Sequence, residues 1–352
     1  MRTTELSEKL YQHYESTQKI HDYFGIMAVY ALIKTAEQKN DEELLKKAIC
    51  KIKEFTYEME HGIYNFPSYR ICGIAAAYAF MKGYIPEMSE LVEKYADELM
   101  QADRNSDGIL ISPNQKEREL IWIDCLTAAV PFLLYAGIAF GREEYIDEAV
   151  NQTLLMYDEL MDKDNGLLHQ CKNFVATGVL TEDHWSRGNG WGYIALSELI
   201  QYLPKEHKKR KKIEQYFGIH SVNMLKVQNY RGMWTQEMTV HDSYEETSGT
   251  ALILYGYGVG IQTKVLDVET FGESFEMGIR SLYNVGVNDD FSTNNCCPSC
   301  RCPGMGVKKG TINSYISHMA VKDDRHSFGP FMLAFTKAVE LGIKELNRTD
   351  IK

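Results

Sequence analysis

The stretch His184-Trp-Ser-Arg-Gly-Asn-Gly-Trp191, running into Gly192-Tyr-Ile-Ala-Leu-Ser-Glu-Leu-Ile-Gln-Tyr-Leu203, decides how the chain reads. Its second half is an amphipathic helix. Trp191, Ile194, Ala195, Glu198 and Leu199 recur at helical spacing, and Pro204 stops the run. Its first half sets two indoles around an arginine, two glycines and an asparagine, a poor mixture for a helix or strand interior. Glycines let a backbone approach a ligand, and a helix N-terminus offers free N–H groups and partial positive charge. Arg187 adds a fork suited to a carboxylate, while Trp185 and Trp191 offer flat faces to a sugar ring. A helix cap with aromatic packing would use some of these residues. An anion-and-ring site at the helix start uses all of them.

Outward from this stretch the periodicity is helical almost everywhere. It predicts helices over 4–17, 22–38, 41–56, 68–83, 86–102, 118–138, 143–162, 187–203, 207–228, 246–260, 266–284 and 326–342. Leu126, Ala129, Val130, Leu133 and Leu134 make one apolar stripe. Strand alternation is scarce, so the class is all-α. The helices come in pairs. One partner is small, apolar and aromatic (Gly25–Ile33; Cys72–Phe80), and the other is charged (Asp41–Phe55; Glu87–Gln101; Glu143–Asp162). Alternating inner and outer helices suggest a closed double layer. No Pro/Gly/Ser linker divides the chain, so residues 1–352 are expected to form a single domain. Long connections at 103–117, 163–186, 229–245 and 285–325 are expected to carry function.

Composition narrows the partners. A net charge of −11 with one basic run, Lys205–Lys212, argues against nucleic acid. No apolar stretch reaches the ~20 residues of a membrane span, and the N-terminus lacks the apolar core of a secretion signal. Eight cysteines without a framework spacing fit reduced thiols and a cytoplasmic location.

Several stretches set aromatics beside carboxylates. In Ile121-Trp-Ile-Asp-Cys-Leu126, Asp124 interrupts an apolar run that continues to Leu134. It is either a helix cap or a carboxyl at a cavity mouth with a shifted pKa. Gly166-Leu-Leu-His169, Gly232-Met-Trp-Thr-Gln-Glu237 and His241-Asp-Ser-Tyr244 follow, the last leading into Thr247 and Ser248, which can cap the next helix. Cys297-x-x-Cys300, within Cys296–Cys302, has zinc-ligand spacing but no second pair, so no metal is expected there; a thiol-rich pocket loop is the simpler reading.

Taken in order and spacing, these blocks resemble the unsaturated glucuronyl and rhamnogalacturonyl hydrolases, glycoside hydrolase families 88 and 105, over about residues 20–342. The resemblance implies an (α/α)6 barrel acting on oligosaccharides that end in a 4,5-unsaturated uronic acid, with no cofactor. It implies hydration of a vinyl ether: an aspartate protonates C4, water adds at C5, and the hemiketal opens to release the next sugar. The aspartate falls on Asp124, as general acid and then base. Trp185, Arg187 and Trp191 match the family's substrate stretch, His169 a pocket histidine, and His326 the closing His-Gly block, with Tyr244 a further candidate contact.

This sequence also departs from the family. Ser68 stands where an aspartate usually contacts the uronate, Ile109–Asn114 lacks a usual His-Lys pair, and His21-Asp-Tyr-Phe24 replaces a tryptophan. An altered substrate at the uronyl ring or its neighbour is therefore expected, with His184, His326, Tyr244 and the Cys296–Cys302 loop as substitutes. The rival readings are an epimerase or another glycosidase on the same barrel, or an inactive carbohydrate-binding barrel.

Overall fold

The computed structural model describes residues 1–57, 64–113, 115–302 and 310–348. Asn114, and Pro303 onward in the cysteine-rich loop up to residue 309, lie outside the described residues. The described helices are α1 (Thr3–Thr17), α2 (Tyr23–Lys39), α3 (Glu42–Lys53), α4 (Gly73–Met81), α5 (Ser89–Met100), α6 (Asp124–Phe140), α7 (Glu143–Leu160), α8 (Ser186–Tyr202), α9 (Arg210–Lys226), α10 (Thr247–Thr263), α11 (Val268–Gly286), α12 (Ile312–Ile316) and α13 (Arg325–Glu340).

The small, apolar helices form a ring: α2 packs on α4, α4 on α6, α6 on α8, α8 on α10, α10 on α13, and α13 closes back on α2. The charged helices lie outside, each burying one stripe. In α3 that stripe is Leu44, Ala48 and Ile52, one residue per turn. This is an (α/α)6 barrel.

Small residues draw the inner helices together. A Cβ on Gly249 would lie 2.6 Å from the Arg187 nitrogen, so α8 and α10 cross at backbone contact only because that side chain is missing. Side-chain caps start three of the six inner helices. Asp22 accepts from the Phe24 and Gly25 N–H groups, Glu246 from Ser248 and Gly249, and Asp324 from His326. Deeper in the ring, Glu198 is fully buried and accepts from the hydroxyls of Tyr30, Tyr135 and Tyr255. Part of the chain's tyrosine content therefore serves a buried carboxylate.

Every predicted helix has a counterpart, but three differ in detail. The helix expected over 118–138 starts only at Asp124, because β1 (Ile121–Trp122) pairs antiparallel with β2 (Cys171–Lys172). The one expected over 68–83 breaks into a 3₁₀ turn, Pro67–Ile71, and α4, with Cys72 at φ +70° and Gly73 at φ +49° between them. A 3₁₀ turn, Pro86–Met88, likewise precedes α5. The short α12 has too few residues for a periodic signal.

Candidate active site

Five of the six inner helices, α2, α4, α6, α8 and α13, line one cavity near their N-terminal ends, and it opens to solvent. From α2 come Tyr23, Phe24, Ile26 and Met27; from α4, Ile74; from α6, Asp124 and Thr127; from α8, Trp191; from α13, His326 and Pro330. Trp185, Tyr64, Phe66, Tyr69 and Cys300 complete the wall.

Asp124 is the carboxylate on this wall. Its Oδ2 accepts from Gln170 Nε2 at 2.6 Å. Burial pushes its pKa up to about 7, against the opposing pull of the Arg187 cation and the Gln170 hydrogen bond. The protonated form is thus favoured far beyond the ordinary range of an aspartate. Gln170 is set by the strand pairing: the Ile123 N–H donates to its carbonyl, and β2 follows directly. Its amide presses on the first turn of α8, where a Cβ on Gly188 would come within 2.2 Å of Oε1. That contact explains one glycine of the Gly188/Gly190 pair.

His326 faces the cavity as a neutral ring. Burial and the Arg187 cation bring its pKa down to about 4, although its bond to Asp324 works the other way. Nδ1 lies 2.7 Å from Asp324 Oδ1, a carboxylate held low by that histidine and by Arg187 despite its burial. The proton thus belongs on Nδ1, leaving Nε2 as an acceptor beside the Tyr23 hydroxyl at 3.5 Å. Tyr23 stacks on Tyr64, with centroids 4.7 Å apart.

Arg187 lies behind the wall. It is fully buried, stacked on Trp185 at 4.4 Å, and Nη1 donates to Ser248 Oγ at 2.8 Å and to the Cys297 carbonyl at 2.6 Å. Its Nε and Nη2, Trp185 Nε1 and Gln170 Oε1 are buried without a protein partner among the described residues.

Of the residues expected at the site, the structure places Asp124, Trp185, Trp191 and His326 on the cavity. His169, Arg187 and Tyr244 stand outside that lining. His169 turns to Asp162 and His184, and its neighbour Gln170 reaches Asp124 instead. Ser68 is fully buried and donates to the Ala128 carbonyl at 2.7 Å, so it supports α6 from beneath and does not face a ligand. Tyr23, Tyr64 and Tyr69 are wall residues that sequence reasoning did not single out; the His21–Phe24 segment had pointed to the first of them. Cys296, Cys297 and Cys302 are buried thiols, each raised in pKa by burial, and they face different partners: Asp324, Gln236 and Asp183.

The profile of Glycosyl Hydrolase Family 88 matches residues 2–341. The chain belongs to that family. It is 28% identical over 171 residues to an unsaturated 3S-rhamnoglycuronyl hydrolase of Formosa agariphila, covering 46% of this chain and 45% of that protein. It is 24% identical over 242 residues to the unsaturated rhamnogalacturonyl hydrolase YesR of Bacillus subtilis, covering 65% of this chain and 68% of that one. In both cases the match spans only part of the relative. A solved Clostridium acetobutylicum glycoside hydrolase of family 105 superposes with a TM-score of 0.79 at 21% identity, covering 97% of this chain and all of that one, 100%. That likeness supports the barrel fold. No helix among the described residues is long and apolar enough to cross a membrane.

Proposed function

We propose that this protein is a glycoside hydrolase that removes a terminal 4,5-unsaturated uronic acid from an oligosaccharide by hydrating its vinyl ether. One observation carries the reading: the wall of an aromatic cavity holds a carboxyl, Asp124, whose pKa lies at about 7. A proton donor for an enol ether must be protonated at working pH and then serve as base towards water. Asp124 meets both needs, giving its proton to C4 and then taking one from the water that adds at C5. The C5 hemiketal opens, and the next sugar leaves with its own oxygen. Two-carboxylate displacement is not required.

The rest of the wall suits a sugar. Trp185 and Trp191 offer apolar faces to the ring, and His326 Nε2 an acceptor for a hydroxyl. The unpaired Trp185 Nε1 is the kind of buried polar atom that a polyhydroxylated ligand satisfies. Arg187 supplies positive potential from behind Trp185, and His169 and Tyr244 support the wall from outside it. We further propose one catalytic domain over residues 1–352 and a cytoplasmic location, the latter in keeping with buried, unbridged thiols such as Cys72, Cys125 and Cys171. The test is the near-ultraviolet absorbance of unsaturated uronyl oligosaccharides. It should decay with enzyme, and a persistent absorbance across a panel of linkages would reject the reading.

A further inference from the structure

The connection after α7 and the start of the 184–191 stretch bring three ligand-type side chains together outside the cavity. Atoms of Asp162, His169 and His184 lie within 4.8 Å of one another. Asp162 Oδ2 is 2.9 Å from His184 Nε2 and 3.8 Å from His169 Nε2. Ligand atoms around a tetrahedral zinc ion, bound at about 2.0–2.1 Å, stand about 3.3 Å apart. The two separations bracket that edge.

Hydrogen bonding alone serves this cluster poorly. Three nitrogens crowd one carboxylate oxygen, since Asn165 Nδ2 also donates to Asp162 Oδ2 at 2.8 Å. The same Nδ2 sits 3.2 Å from His184 Nε2, so a proton on that ring nitrogen would point at two partners, one of them a donor. A dication resolves the conflict by taking the lone pairs of both imidazoles and of the carboxylate. The surroundings are those of a ligand set. Asp162 Oδ1 accepts from the Asp164 N–H at 2.8 Å, and the buried Glu237 carboxylate lies 3.7 Å from His184 Nδ1, a charge that favours the proton on that nitrogen and leaves Nε2 free for a metal. Glu237 is itself pinned, accepting the His184 N–H through both oxygens. Asp162 is partly exposed, which leaves a path for the ion and a fourth position for water.

We propose that Asp162, His169 and His184 form a zinc site, with two imidazoles and one carboxylate as ligands. His169 immediately precedes Gln170, which holds Asp124, and His184 immediately precedes Trp185. The ion would therefore tie together the two segments that carry the cavity's proton-donor support and its indole, as a positioning element without contact to substrate. The ligand types and the open fourth position favour zinc over calcium or magnesium, which prefer all-oxygen shells.

The test is metal binding itself, independent of catalysis. Chelator-treated full-length protein is titrated with Zn²⁺ against a chromophoric competitor, and separately with Co²⁺ under a visible spectrum. One equivalent should bind, with Co²⁺ giving the d–d bands of a four-coordinate N/O site. Asp162→Asn or His169→Ala should weaken binding by more than about 100-fold, and Glu237→Gln by about 10–100-fold. No binding to wild type would overturn the site, as would binding unchanged by Asp162→Asn and His169→Ala. A thiolate-to-cobalt charge-transfer band in wild type, which needs no variant to fold, would also overturn it by placing the ion on the cysteines.

Discussion

Gln170 Nε2 donates to Asp124 Oδ2 at 2.6 Å, joining a residue just before β2 to the first residue of α6. This bond orients the carboxyl towards the cavity and favours its ionised form, while burial favours the protonated one and wins. The site's proton chemistry depends on that balance.

Replacing the acid should stop turnover. Asp124→Asn keeps the shape and the Gln170 contact but cannot deliver a proton, so kcat should fall by ~10²–10⁴-fold with the fold intact. Circular dichroism and steady-state rates check both halves. A variant that unfolds, or that keeps more than about a tenth of the rate, makes Asp124 structural.

Stability should carry the same signature. The folded carboxyl holds its proton up to about 7, whereas the unfolded one loses it near 3.8, so its contribution is lost as pH rises between those values. Each unit of difference is worth about 1.4 kcal/mol. Asp124→Asn should therefore gain stability relative to wild type between pH 4 and pH 8. Asp183, also pushed up to about 7 by burial, titrates in both proteins and cancels in the comparison. Chemical denaturation at the two pH values measures the gain, and an unchanged difference would place the carboxyl's pKa near its ordinary value.

Gly188→Ala should shift the pH profile without touching a reacting group. Its Cβ would meet Gln170 Oε1 at 2.2 Å and displace the amide from Asp124. Losing that bond removes support for the anion, so the alkaline limb of the rate profile should move to higher pH. The direction of the shift separates this account from simple loosening of the helix, which would lower the rate at every pH.

Arg187→Lys should cost stability first. A point charge cannot stack on Trp185 while reaching Ser248 and the Cys297 carbonyl, and each hydrogen bond lost from a buried charged group costs about 1.5–3 kcal/mol. Binding of a uronide and of its uncharged analogue should weaken alike. A loss confined to the charged ligand would put the guanidinium on the substrate carboxylate.

Ser68→Asp should destabilise and leave substrate preference unchanged. The serine hydroxyl donates to the Ala128 carbonyl, and a carboxylate there would oppose that oxygen in a buried position. Thermal melting and kcat/KM over several unsaturated disaccharides test this. A changed preference in a stable variant would restore Ser68 to the recognition surface.

The barrel was legible because its signal is local: helical spacing repeats within each segment, and inner and outer helices differ in composition. Asp124 was legible for a related reason, as the charge inside an apolar run. What could not be read depends on distant pairing. His169 and Gln170 are adjacent in an extended segment and face opposite ways, and the pairing of Trp122 with Cys171 decides which one meets Asp124. Arg187 looked like an open fork because nothing near it in sequence shows that the Cys297 backbone caps it, 110 residues on. Ser68 carried no sign that its hydroxyl was already committed to α6.

The central claim is that Asp124 protonates a carbon of the sugar ring and that the glycosidic bond is not attacked directly. The most direct measurement is turnover of an unsaturated uronyl disaccharide in D₂O containing ¹⁸O-water, read by NMR and mass spectrometry. The account predicts loss of the double bond, one deuterium at C4 from the hydration step, and ¹⁸O entering at C5, with the released sugar keeping its own glycosidic oxygen. A product that retains the double bond, with water added at C1, would contradict it.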